Sequence, residues 1–212
     1  MELKNKKVAF LGDSITAGCG TSGAGKDFVA LFGKMAECAE VLNYGIGGTR
    51  IAPWQPYSEN MADGNFCGRV EELDENADII VVFGGTNDFC HGNAPLGTPD
   101  DHTPATFYGA CHFLMNRLVE RFCGKPIVIL TPLHRHGEDT PREDNATLKS
   151  YVNALKDSAE WYALPVLDLF AVSGIQPCIP GVQQKLCPDG LHPNDAGHRI
   201  LAERIYAFLR SL

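Results

Sequence analysis

The sequence predicts an α/β protein built on a parallel sheet. Short apolar runs recur at Val8–Leu11, Glu40–Asn43, Asp78–Phe83, Pro126–Thr131 and Pro165–Leu169, and most intervals between them carry a helical pattern. Size is the second indication: 212 residues with 44% hydrophobic content suffice to bury a core without staples, so a single domain over residues 1–212 is expected.

Taken in order, the first strand, Val8–Leu11, runs into Gly12-Asp13-Ser14, which sets the Ser14 hydroxyl at the carboxyl end of a buried strand. Open α/β sheets bind their ligands at such ends. A helix is expected over Lys26–Cys38, and the second strand leads to the Gly-rich turn Asn43-Tyr44-Gly45-Ile46-Gly47-Gly48. After a helix at about Cys67–Glu75, the third strand ends in Gly84-Gly85-Thr86-Asn87-Asp88. Further helices are expected at Pro104–Phe122, Asp144–Tyr162 and Asp195–Leu212. In the last, Leu201, Ile205, Phe208 and Leu212 mark a core face and Asn194 is a plausible cap. The long Gly/Pro-rich stretches Arg50–Asn65, Cys90–Thr103, Pro132–Glu143 and Ser173–Pro188 follow strands, so right-handed crossovers gather them at the edge that holds Ser14.

That edge also receives Asp189-Gly190-Leu191-His192, just ahead of the last helix. Ser14, His192 and Asp189 together supply a nucleophile, a base and an orienting acid, the minimum equipment of a serine hydrolase. The two Gly-rich turns add backbone N–H groups and the Asn87 carboxamide as donors for a developing oxyanion. Each piece alone has a plainer reading: Ser14 as a helix cap, Asn87-Asp88 as turn chemistry, His192 as a partly buried histidine. Their order at separate strand ends favours the catalytic reading.

Gly12-Asp13-Ser14, the Gly48 turn, Gly85-x-Asn87-Asp88 and Asp189-x-x-His192 resemble the four ordered blocks of the SGNH hydrolases, the GDSL-type esterase and lipase superfamily. The resemblance implies a three-layer α/β/α sandwich with a flavodoxin-like five-stranded parallel sheet. It implies Ser14 as nucleophile, His192 as general base, Asp189 as its partner, and the Ser14 N–H, Gly48 N–H and Asn87 side chain as oxyanion hole. Gly47 is the alternative donor if the turn is shifted. Ile15 stands where the superfamily's name has Leu, an apolar exchange that leaves the chemistry untouched. The expected activity is hydrolysis of short-chain acyl esters, acetylated carbohydrates among them, by way of an acyl-enzyme and with no cofactor. A thioesterase, lysophospholipase or acyltransferase, or an inactive ligand-binding protein on the same fold, is the alternative.

Rival motifs overlap the first loop. Gly18-Cys19-Gly20-Thr21-Ser22-Gly23 matches a dinucleotide-binding pattern but begins several residues past the strand, and its acidic partner would be Glu37 or Glu40, ahead of the second strand. Gly20–Lys26 matches a phosphate loop, yet Asp27 stands where a magnesium-binding hydroxyl belongs. His134-Arg135-His136 with Glu138 and Asp139 reads as a polar pocket rim, because the third ligand of a metal site is not evident. His198 is expected to pack locally. Trp54 is either a wall for an acyl group or sugar ring or a loop anchor.

Composition narrows the partners. The chain carries 18 basic and 26 acidic residues, net −8, with no Lys/Arg-rich run, which disfavours nucleic acid and anionic membranes and leaves a small ester as the expected partner. The charged start Met1–Lys7 precedes too short an apolar stretch for a signal peptide or membrane span, so a cytoplasmic location is expected. The scattered cysteines read as reduced thiols, with a Cys178–Cys187 bridge as the alternative.

Overall fold

The computed structural model describes residues 1–57 and 63–212; within the expected loop Arg50–Asn65, residues 58–62 lie outside the described residues. Strands β1 (Lys7–Gly12), β2 (Glu40–Gly45), β3 (Ile79–Phe83), β4 (Ile127–Leu130) and β5 (Val166–Leu167) form one sheet in the order β2-β1-β3-β4-β5. All pairs are parallel. The described helices are α1 (Ser14–Ala17), α2 (Phe28–Met35), α3 (Phe66–Arg69), α4 (Thr86–His91), α5 (Phe107–Arg121), α6 (Leu148–Trp161), α7 (Leu169–Val172), α8 (Pro180–Leu186) and α9 (Asp195–Ser211), with a 3₁₀ turn at Val70–Glu72. This is the expected three-layer α/β/α sandwich.

Alternation along the strands divides the core. Ala9, Leu11, Ile80, Val82, Ile127 and Ile129 face α3, α5 and α6, packing with Phe66, Phe107, Leu114 and Tyr151. Their neighbours Val8, Phe10, Ile79, Val81, Val128 and Leu130 face α2 and α9, packing with Phe28, Phe32, Leu201 and Ile205. Phe10 meets Phe28 and Phe32 edge to face at 5.7 and 5.4 Å. In α9 the buried stripe is Leu201, Ile205 and Leu209, with Phe208 only partly buried; Leu212 lies past the helix end and is exposed. The expected core position at Leu212 is therefore corrected to Leu209. Asn194 caps this helix, accepting from Ala196 N and Gly197 N.

Other departures have local causes. The run Pro165–Leu169 gives a strand of only two residues because Asp168 turns the chain, its carboxylate capping α7 and accepting from Thr131 Oγ1 and Lys156 Nζ. The second strand continues through Gly45, two residues past its expected end at Asn43. Helix α8 forms inside the expected loop Ser173–Pro188 with no buried residue, so it has no apolar stripe to betray it. Cys178 and Cys187 are both free, the former exposed and the latter buried.

The topology places the functional edge. From β1 the chain steps to β2 on one side and then crosses to β3, β4 and β5 on the other, so the switch point lies between β1 and β3. Ser14 follows β1 and Asn87 follows β3. Helix α1 is pressed against β2: Asn43 Nδ2 donates to Thr16 O at 2.8 Å, and a Cβ on Gly45 would lie 2.2 Å from Ala17 N. Backbone cannot yield as a flexible side chain can, so Gly45→Ala is expected to lower stability by about 1–3 kcal/mol, read as a fall in Tm of about 2–4 °C per kcal/mol. An unchanged Tm would mean that α1 is not held against β2 in this way.

Candidate active site

Ser14 is placed by a strand–turn–helix unit of minimal length. β1 ends at Gly12, Asp13 caps α1 by accepting from Ile15 N at 2.9 Å, and Ser14 is the first helical residue, 8% exposed. The helix ends after one turn at Gly18.

The second segment arrives as a local turn ahead of α9. Asp189 Oδ1 accepts from Leu191 N at 2.9 Å and from His192 N at 2.7 Å, folding Asp189 back onto its own loop. Its Oδ2 lies 2.7 Å from His192 Nδ1. Partial burial works against the charge of Asp189, but donation from the His192 backbone and ring and from Leu191 N outweighs it and holds the carboxyl below its ordinary value. With Nδ1–H donating to Asp189, Nε2 is left to accept from the Ser14 hydroxyl, 3.0 Å away and 178 positions distant in sequence.

The third element is Asn87, 6% exposed, in the first turn of α4. Its Nδ2 donates to Thr49 O at 2.9 Å, which fixes the carboxamide with its second hydrogen uncommitted among the described residues. The Ile46–Thr49 turn is closed by Thr49 N and Oγ1 donating to Ile46 O at 3.3 and 2.7 Å, and Gly48 carries a positive φ of 76° there. A Cβ on Gly47 would lie 3.9 Å from Ser14 Cβ, whereas one on Gly48 would meet nothing within 4 Å. The turn thus sets Gly47 against Ser14 and leaves Gly48 facing open space.

Three buried charged residues support this arrangement, of which the sequence motifs include Asp13 and Asp88 without a role in the site and do not include Arg69. Asp88 accepts from Ile51 N and Ala52 N at 2.9 and 2.8 Å, clamping the chain that follows the Gly47-Gly48 turn. Burial pushes its carboxyl up to about 6 against those hydrogen bonds and the charge of Arg50. Burial likewise raises Asp13 to about 7, with the Asp88 charge adding to it and the Ile15 N–H opposing. Arg69, 3% exposed, donates to Gly12 O at 3.2 Å, to Thr49 Oγ1 at 3.1 Å and to Tyr44 O. Only the adjacency of Asp13 to Ser14 and of Asp88 to Asn87 could have marked the first two; nothing in the sequence near Arg69 marks it.

The remaining candidates go elsewhere. Lys26 Nζ pairs with Asp195 Oδ2 at 2.9 Å, and Ser22 N and Oγ donate to the same carboxylate, so an acidic group fills the space a phosphate loop would keep for its ligand. His134 Nδ1 lies 2.8 Å from Glu138 Oε1, while His136 Nε2 donates to Pro177 O at 3.0 Å. Among the described residues no three His, Cys, Asp or Glu side chains converge as a ligand set. Trp54 lies under the Arg50 guanidinium, 4.2 Å from its ring centre, and 6.5 Å from the His91 ring. His198 packs on Phe28; its Nδ1 accepts from Phe28 N at 3.1 Å and its Nε2 donates to Cys19 O at 3.2 Å.

A model of the GDSL-like lipase/acylhydrolase family matches residues 10–200. No curated protein matches the chain. Among solved structures, one crystal structure is 34% identical, with a TM-score of 0.89 over 100% of this chain and 99% of its own. A protein from Lactobacillus plantarum is 29% identical, with a TM-score of 0.85 over 98% of each chain. The acetyl xylan esterase AlAXEase shares the fold at 21% identity, with a TM-score of 0.67 over 96% of this chain and 99% of its own.

The buried His198 gives a pH dependence of stability. Burial holds it below the ordinary histidine value of 6.5, so on acidification the unfolded chain takes up the proton first. Its contribution is complete above pH 6.5 and is lost as pH falls from there through the lower folded value. Urea unfolding of wild type and His198→Asn is therefore expected to give a stability difference that shrinks between pH 7.5 and 5. A constant difference would contradict a neutral, buried His198.

Proposed function

Because the chain belongs to the GDSL-like lipase/acylhydrolase family and is thereby an ester-hydrolysing enzyme, we propose that it is a serine esterase acting on short-chain acyl esters, acetylated carbohydrates among them. The observation that carries this reading is the continuous chain of hydrogen bonds from Ser14 Oγ through the His192 ring to Asp189 Oδ2, at 3.0 and 2.7 Å.

The mechanism follows from that order. Ser14 Oγ attacks the ester carbonyl as its proton passes to His192 Nε2, forming the carbon–oxygen bond of a tetrahedral intermediate. The oxyanion accepts from the Ser14 N–H, the Gly48 N–H and the uncommitted hydrogen of Asn87 Nδ2; Gly47, beside Ser14, is the alternative backbone donor. As the carbonyl re-forms, the bond to the alcohol oxygen breaks and that oxygen takes the proton from His192. A water molecule then repeats the sequence on the acyl-Ser14, giving the acid and free Ser14. Asp189, held ionised by its turn, keeps Nδ1 protonated and stabilises the imidazolium. The strand-end loops are rich in Gly, Pro, Asp, Asn and His, and among the described residues Ile46, Trp54, Tyr57 and Ile179 are the large apolar side chains they leave exposed, a mostly polar rim that favours a small acyl group over a long chain.

Kinetics on p-nitrophenyl esters test these roles. Ser14→Ala and His192→Ala are expected to lower kcat by about 10⁴–10⁶, and Asp189→Asn by up to about 10⁴. Asn87→Ala is expected to lower kcat by about 10²–10³ with little change in KM, since its donor acts on charge present only in the transition state. Across acetate to octanoate, kcat/KM should fall with chain length. A Ser14→Ala variant with wild-type turnover would refute the mechanism, and a preference for octanoate would refute the substrate class.

A further inference from the structure

A cavity of about 330 Å³ opens beside α4, lined by Phe89, Cys90, Arg135, His136, Thr140 and Arg142. It lies next to the candidate active site on two sides. Arg135 Nη1 donates to Thr86 O and Oγ1 at 3.3 and 3.1 Å, one residue before Asn87. His136 N donates to Gly190 O at 2.9 Å, inside the Asp189–His192 turn. The segment carrying Arg135 therefore bridges the Asn87 helix and the His192 turn.

Its charge is out of keeping with a chain of net −8. Among the described residues no carboxylate forms an ion pair with either Arg135 or Arg142. Glu138, on the same segment, lies 2.8 Å from His134 Nδ1 and accepts from the backbone N–H of Arg135 at 2.9 Å, not from its guanidinium. Arg142 is committed to the structure, donating to the carbonyls of Asp88, Phe89 and Gly92 at 3.0, 2.6 and 2.5 Å. Arg135 is held less fully: Nε donates to His136 O at 3.4 Å and Nη1 to Thr86, while among the described residues Nη2 meets only Cys90 Sγ, at 3.2 Å. Sulfur is a weak acceptor, and an anionic oxygen would displace it with a charge-assisted bond. The nearby His91 senses the same field, since burial and then the positive charges of Arg50, Arg135 and Arg142 hold it below the ordinary histidine value.

We propose that Arg135 is a specificity-determining residue that selects esters bearing a carboxylate a few atoms from the scissile bond, with the carboxylate seated in this cavity. This deepens the serine-esterase reading and rests on it. An acidic protein repels anionic ligands at long range, so a guanidinium group that has no ion-pair partner among the described residues, beside the candidate reactive centre, is explained by a substrate that brings the missing charge.

Two matched pairs of esters test both sides of the scissile bond. 4-Acetoxybenzoate and its methyl ester carry the charge on the alcohol side; mono-p-nitrophenyl succinate and its methyl ester carry it on the acyl side. Wild type is expected to favour the anionic member of at least one pair in kcat/KM. Arg135→Gln is expected to cut that anionic-to-neutral ratio by about 10–100-fold, with partial recovery in Arg135→Lys. A ratio that Arg135→Gln leaves unchanged in both pairs overturns the proposal. Calorimetric binding of 4-acetoxybenzoate and succinate monomethyl ester to Ser14→Ala, with and without Arg135→Gln, reads the cavity without turnover. Weaker binding on loss of Arg135 supports the proposal, and equal affinity for both ligands contradicts it. Failure of wild type to hydrolyse any of the four esters would contradict the esterase reading instead, and the binding measurement would then decide the cavity alone.

Discussion

Polar backbone groups that leave a parallel sheet must find partners, and at the carboxyl ends of β1 and β2 and along the segment that follows β2 several of those partners are buried side chains. Arg69 gathers Gly12 O, Tyr44 O and the Thr49 hydroxyl; Asp88 satisfies Ile51 N and Ala52 N; Asn87 takes Thr49 O. The same bonds fix where the Gly47-Gly48 turn stands relative to Ser14 and which way the Asn87 carboxamide faces. The candidate site is thus a by-product of closing the sheet edge: the residues that satisfy these backbone groups also hold in place the donors proposed to meet a reacting carbonyl.

The carboxylates around the site divide by environment. Asp13 and Asp88 are fully enclosed, and burial raises them to about 7 and about 6. They act through hydrogen bonds to backbone N–H groups. Asp189 sits in a tight turn with three donors converging on it, and stays ionised to well below neutral pH. A His192 partner needs a fixed negative charge, and of the three acids only Asp189 touches the imidazole. Local turn geometry, rather than burial, separates the proposed orienting acid from the structural ones.

The sequence revealed the sheet because its strands are continuous apolar runs buried on both faces, and the long helices because their stripes are clear. It concealed α1 and α4, since four and six residues are too few to carry a periodicity, and α8, which buries nothing. Leu212 was misread because the apolar spacing continues one residue past the end of α9. Ser14, Asn87, Asp189 and His192 were legible because each stands in a short Gly-marked motif at a predicted strand end or helix entry. Arg69 and Thr49 were not, because their roles depend on long-range contacts to backbone carbonyls, or on a backbone carbonyl itself, and any residue supplies a carbonyl. Arg135 stood in view within His134-Arg135-His136, but its unmatched charge became visible only once the neighbouring carboxylates were seen to be engaged elsewhere.

The proposed mechanism depends on the Ser14 hydroxyl, held by His192, acting as a nucleophile. Treating the folded protein with a fluorophosphonate and mapping the adduct by peptide mass spectrometry tests it without assuming a substrate. Stoichiometric modification confined to the peptide containing Ser14, and abolished by His192→Ala, is the predicted result; an unmodified Ser14, or an adduct formed equally well without His192, would contradict it.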